Sequence, residues 1–117
     1  MNHYRRALVE AARRLAISAD QQECYLTQLG VGVDEIALEF DDLFRLAATK
    51  LDAGAIAARE YDVLCVLERA LQEISGPKRA DLWTVEALRG RSEWAKIREL
   101  ANDAIATMTG ERRGPSP

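Results

Sequence analysis

The chain is poor in the residues that carry most enzymatic chemistry. Its 117 residues include one histidine, His3, and two cysteines, Cys24 and Cys65. Di-metal helical bundles need Glu-x-x-His pairs on facing helices, and the sequence contains none. Zinc sites need more Cys and His ligands at closer spacing. A Ser-His or Cys-His nucleophile needs its base beside it, and His3 lies two residues from the start of the chain. No glycine-rich phosphate loop and no calcium-loop pattern occurs. These absences point away from an enzyme and imply neither a metal nor a cofactor.

Long hydrophobic runs are missing too. No apolar stretch approaches the roughly 18 residues of a membrane span. The opening MNHYRRALVEAARR places charges where a signal peptide would have its apolar core. The two cysteines are far apart in apolar surroundings, which fits buried thiols in a reducing compartment better than a disulfide framework. The expectation is a cytoplasmic protein with no membrane contact. Lysine is scarce (three) and arginine plentiful (thirteen), a bias typical of GC-rich codons.

What is present fits one globular domain. Hydrophobic residues make up 48% and charged residues 30%, near the usual values. A chain this long buries about two thirds of its unfolded surface and needs no staple. The net charge is −3, but it is unevenly placed. Residues 1–19 carry +3, residues 20–62 carry −7, and residues 63–117 carry +1.

Apolar spacing is helical almost throughout, and strand-like alternation is absent. Tyr4, Leu8, Ala11, Ala12 and Leu15 mark one face of a first helix over about 3–18. Asp20-Gln-Gln-Glu23 reads as a capping box for a short second helix ending at Gly30. A third helix is expected from Asp34 to Ala53, with a core stripe of Ile36, Phe40, Leu43, Ala47 and Leu51, and with Leu38 stapled on Val33. The fourth, about 57–75, contains the apolar run Val63-Leu-Cys-Val-Leu67. A helix apolar on nearly every side is usually surrounded, so it is expected at the centre. Short turns around Trp83 follow, capped by Thr84. A last helix, about 93–109, is capped by Ser92. The fold class is all-α: a compact single-domain bundle of five or six helices over 1–110, followed by a disordered tail, 111–117.

The acid is densest in DEIALEFDD, with five carboxylates in nine residues, Asp34 to Asp42. Asp34 and Glu35 favour a helix N-terminus through the macrodipole, and Asp41 can meet Arg45 one turn on. Glu35, Glu39 and Asp42 fall within about 60° of arc, away from the core stripe. Leu46 lies at nearly the same angle, one turn further. Capping and solvation explain most of this acid. A large apolar residue ending an acidic stripe is also how a partner-binding patch is built, since interface centres are apolar and surrounding charge steers a basic partner. Glu35, Glu39, Asp42 and Leu46 are the candidate partner-binding residues. An exposed apolar helix face would equally serve a homodimer.

Other features have plainer readings. Trp83 and Trp94 are expected in the core, with Arg98 stacked on Trp94. Arg5, Arg6, Arg13 and Arg14 flank the Tyr4–Leu15 stripe as a solvated face. A helix-turn-helix from 57–75 and 79–90 would have Lys78, Arg79, Arg89 and Arg91 as its only bases, against an acidic chain, so nucleic acid is disfavoured as a partner. A carboxylate-only enzyme would show itself as a pocket holding two acids with perturbed pKa values.

Two resemblances attach to particular phrases. AREYDVLCVLERALQEIS, Ala58–Ser75, is similar to the opening helix of winged-helix response-regulator DNA-binding domains, which implies a helical regulator. That family requires a basic recognition helix and a β-wing, and Gly76-Pro77 follows here instead. DEIALEFDDLF, ISGPKRADLW and EWAKIRELANDAI resemble small uncharacterised all-helical proteins of high-GC bacteria, which implies a fold without an activity. By size, acidity and helix content the chain also looks like immunity proteins. That likeness implies a non-catalytic immunity or antitoxin-like module binding a basic protein; the alternative is a helical transcriptional regulator.

Overall fold

In the computed structural model, residues 2–110 are described, so the expected tail at 111–117 lies outside the described residues. Those residues form seven α-helices and one 3-10 segment, with no strand among them. In order they are α1 (His3–Ala16), α2 (Ala19–Leu29), α3 (Asp34–Phe44), α4 (Ala47–Asp52), α5 (Ala58–Glu73), a 3-10 segment (Pro77–Leu82), α6 (Val85–Gly90) and α7 (Ser92–Thr109). The fold class is all-α as expected, in one unit, with a helix more than the five or six anticipated.

Local chemistry sets most of the helix ends. The Asn2 side chain accepts from the Arg5 N–H at 2.8 Å and opens α1. The box that opens α2 is built two residues earlier than Asp20-Glu23. Ser18 accepts from the Gln21 N–H at 3.2 Å, and Gln21 returns a bond to the Ser18 N–H at 3.1 Å. Gly30 ends α2 at φ 68°, where a Cβ would be strained. Thr84 caps α6 through the Ala87 N–H at 3.1 Å, as its sequence position predicts. Ser92 is the first residue of α7 rather than its cap, which falls to Arg91.

The expected helix 34–53 is divided. α3 ends at Phe44 and α4 begins at Ala47. At the junction the Leu43 carbonyl accepts the Leu46 N–H at 3.2 Å and the Tyr4 hydroxyl at 2.8 Å. The first bond is a tightened 3-10 turn. The second comes from α1, 39 positions away, so no local periodicity could reveal it. Burial pushes the Tyr4 hydroxyl up to about 12. Leu38 is 46% exposed, so no staple against Val33 covers it.

The core lies where α7 meets α1 and α5. α7 packs against α1, α5 and α6, and α5 packs against α3, α4 and α7. Helix 57–75 therefore shares the centre with α7. Its apolar run is not wholly enclosed: Leu64 and Leu67 are buried, while Val66 is 46% exposed. Leu8, Leu15, Ile36, Phe40, Leu82, Leu88, Trp94 and Ile97 complete the interior. Trp94 and Trp83 meet edge-to-face at 5.2 Å between centroids, a favoured aromatic geometry.

Two polar clusters sit inside this packing. Glu60, nearly fully buried, accepts from Arg5 of α1 at 2.5 and 2.7 Å and from the Ala57 N–H at 2.7 Å. Arg5 also donates to the Met108 carbonyl of α7 at 2.7 Å. One fork-shaped guanidinium thus ties three helices. Elsewhere Gln22, also buried, donates to the Arg14 and Leu15 carbonyls at 2.9 and 3.2 Å, and accepts from Arg98 at 3.1 Å. Arg98 donates to the Leu88 carbonyl as well, at 3.1 Å. It is spent on α2 and α6 rather than on stacking with Trp94. Cys24 is exposed and Cys65 half-buried, both as free thiols, so only Cys65 approaches the burial expected.

Candidate functional site

Helix α3 places three of the four candidate residues, Glu35, Glu39 and Asp42, along its outer flank. Ile36, Ala37 and Phe40 point inward and are buried. That fixes the opposite arc as solvent-facing, since α-helical side chains at i, i+4 and i+7 share a face. Glu35 and Asp42 are exposed. Glu39 is half-exposed and reaches Arg14 of α1 at 2.8 Å. Arg14 in turn lies 4.9 Å over the Tyr25 ring. Glu39 is therefore partly committed to holding α1 beside α3, while Glu35 and Asp42 have no such duty. Leu46 follows at the 3-10 turn and is 49% exposed. The structure brings the three acids together on one flank and places Leu46 just past the end of their helix.

The first-turn acids Asp34 and Glu35 lie at the α3 N-terminus, where no side chain caps the helix. Both complement the helix dipole. Asp41 meets Arg45 at 3.0 Å, as the i, i+4 spacing predicts. That part of the acid is structural in the ordinary sense.

A second feature lies on the other flank of α3 and was not legible in the sequence. There α3 and α5 border a half-open pocket of ≈ 190 Å³, lined by Asp34, Leu38 and Asp41 from α3, Glu68 and Leu71 from α5, and Trp83 beyond. Glu68 carries a carboxyl pushed up to about 7, first by burial and then by the neighbouring Asp41 carboxyl. Asp41 and Glu68 are 27 positions apart, and only the register of two packed helices brings them together. The pocket is smaller than the about 300 Å³ at which drug-sized sites begin.

The bases proposed for DNA contact are mostly engaged. Arg79 pairs with Glu93 at 3.1 Å, and Arg91 pairs with Asp81 at 3.0 Å. Arg89 pairs with Asp20 at 2.7 Å and also with Glu23. Lys78 is exposed. In the N-terminal group, Arg5 is held by Glu60, Arg14 by Glu39, and Arg13 lies 3.8 Å from Glu10. Among the described residues no three His, Cys, Asp or Glu side chains gather as a metal site would require. None of the described helices is long and apolar enough to cross a membrane.

Comparisons of the chain with protein-family models, with curated proteins and with solved structures find no match.

Proposed function

We propose that this protein is a cytosolic, non-catalytic binding module of the immunity or antitoxin kind, which holds a basic protein against the outer flank of α3. The observation that carries the reading is Leu46, 49% exposed at the end of the Glu35–Glu39–Asp42 stripe. Leaving a leucine half in water forgoes about 1 kcal/mol of burial. Its place beside clustered like charge makes an apolar centre with an acidic rim, the arrangement that suits a protein contact. The rim accelerates and orients the encounter, and the leucine holds the complex once formed. The free thiols of Cys24 and Cys65 suit a reducing compartment.

Charge reversal tests the rim. Glu35→Lys/Asp42→Lys leaves the Arg14–Glu39 pair intact, so the fold is expected to survive with its thermal midpoint within a few degrees. Capture of a basic protein from the source cell lysate is expected to fall about tenfold or more relative to the wild type, with strong salt sensitivity in the wild type alone. Equal capture by both proteins would return this flank to solvent. The regulator reading gains no support from bases that already sit on carboxylates.

A further inference from the structure

The strongest unexplained feature is the seam between α3 and α5. Glu68 Oε1 is buried without a hydrogen-bond partner, the one such side-chain atom among the described residues. Buried acceptors nearly always find a donor, and an unsatisfied one is costly. The other Glu68 oxygen accepts from Gln72 at 3.2 Å. Across the seam, on the wall of the same pocket, stands the carboxylate of Asp41. Two ionised carboxylates cannot donate to each other, and in partial burial they repel. A single proton removes both problems: it supplies the missing donor and cancels one charge. The guanidinium of Arg45 sits 3.0 Å from Asp41 rather than on Glu68, so the latch places the proton on Glu68.

We propose that Glu68 and Asp41 form a proton-operated latch, in which one carboxyl-carboxylate hydrogen bond ties α5 to α3 and deprotonation loosens the seam. The charged groups facing it are few. From α3 come Asp41 and Asp34, from the turn after it the cation Arg45, and from α5 itself only neutral Gln72. The third wall, Trp83, carries no charge. Asp34 adds to the repulsion after proton loss, and Arg45, mostly exposed, offsets only part of it. Burial and Asp41 push the Glu68 carboxyl up to about 7, so the latch responds near neutral pH. The sign follows from linkage. A folded-state value raised above the unfolded one gives stability that is complete below the ordinary carboxyl range and lost as pH rises through about 7. The latch stands independently of what α3 binds.

Thermal unfolding of the full chain between pH 5.5 and 8.5 tests it, comparing the wild type with Glu68→Gln. The glutamine amide can donate to Asp41 at every pH. The wild-type midpoint is expected to fall by about 4–8 °C across this range, while that of Glu68→Gln stays level and lies above the wild type at pH 8.5. Parallel slopes would overturn the latch. Carbon-detected NMR of the Glu68 carboxyl provides a readout free of any folding defect. Its midpoint should stand near 7 in the wild type and drop toward the ordinary range in Asp41→Asn, whose amide donates to the ionised form. A wild-type midpoint in the ordinary carboxyl range would also overturn it.

Discussion

Glu60→Ala is expected to destabilise the protein by about 3–5 kcal/mol, the usual cost of removing one partner from a buried ion pair. The reason is what remains. Arg5 would keep its bond to the Met108 carbonyl but lose both bonds to the carboxylate. The Ala57 N–H at the start of α5 would lose its acceptor as well. Against a typical total stability of about 5–15 kcal/mol, such a loss removes a large share of the margin. Chemical denaturation read by helical circular dichroism measures it directly. A loss under about 1 kcal/mol would mean that the pair contributes no more than a surface contact. The pH dependence has a definite sign. The Arg5 hydrogen bond holds the Glu60 carboxyl below its ordinary value. The stability it contributes is present above the unfolded carboxyl value and disappears as pH falls through the lower, folded one. Glu60 and Glu68 thus act in opposite directions. Acid weakens the Arg5–Glu60 tie, and alkali weakens the α3–α5 seam.

Trp94→Ala is expected to cost a similar amount, about 3–5 kcal/mol. Trp94 of α7 is fully buried against the 3-10 segment and Trp83. Its indole N–H donates to the Leu82 carbonyl at 2.6 Å. Truncation would leave a large void and an orphaned carbonyl, and the void is the greater loss because the surrounding side chains can collapse only in part. Trp94→Phe fills most of the volume and loses the hydrogen bond, so it should cost less than the alanine variant. Equilibrium unfolding of both variants checks the order. If phenylalanine were as damaging as alanine, the hydrogen bond rather than the packing would dominate, contrary to this account.

Much of the fold can be read from residue spacing. The buried face of α1 consists of the residues that the 3.6-residue period selects, with Val9 added at its edge. The inward face of α3 and the cap at Thr84 follow from the same local rules. Local rules failed where a distant group intervened. The break after Phe44 coincides with a bond from the Tyr4 hydroxyl to the Leu43 carbonyl. Arg98 left Trp94 for Gln22 and Leu88 because α2 and α6 dock beside it. Arg5 looked like one of four flanking arginines until α5 presented Glu60. The apolar run in α5 suggested enclosure on all sides, yet no element packs over Val66 closely enough to bury it.

The candidate surface was legible to the same degree. Helical angle alone grouped Glu35, Glu39 and Asp42, because that inference needs one helix only. Whether Leu46 was covered depended on tertiary packing, and its exposure is a property of the assembled bundle. The Asp41–Glu68 seam was beyond reach for a similar reason. Each residue has an unremarkable local setting, and their meeting depends on how α3 and α5 align. Glu39 shows the limit of charge patterning in the opposite sense, since part of its acidity is consumed by Arg14.

Leu46→Asp separates a specific contact from mere attraction between opposite charges. The substitution lengthens the acidic stripe, so long-range attraction for a basic protein would rise. It also removes the apolar centre on which the proposed complex depends. Leu46 is half-exposed and outside the core, so the fold should be undisturbed by circular dichroism and thermal unfolding. The expected result in lysate capture is a loss of about 2 kcal/mol in partner affinity, roughly 30-fold in Kd. Unchanged or increased retention of the same partner would contradict a binding site centred on Leu46.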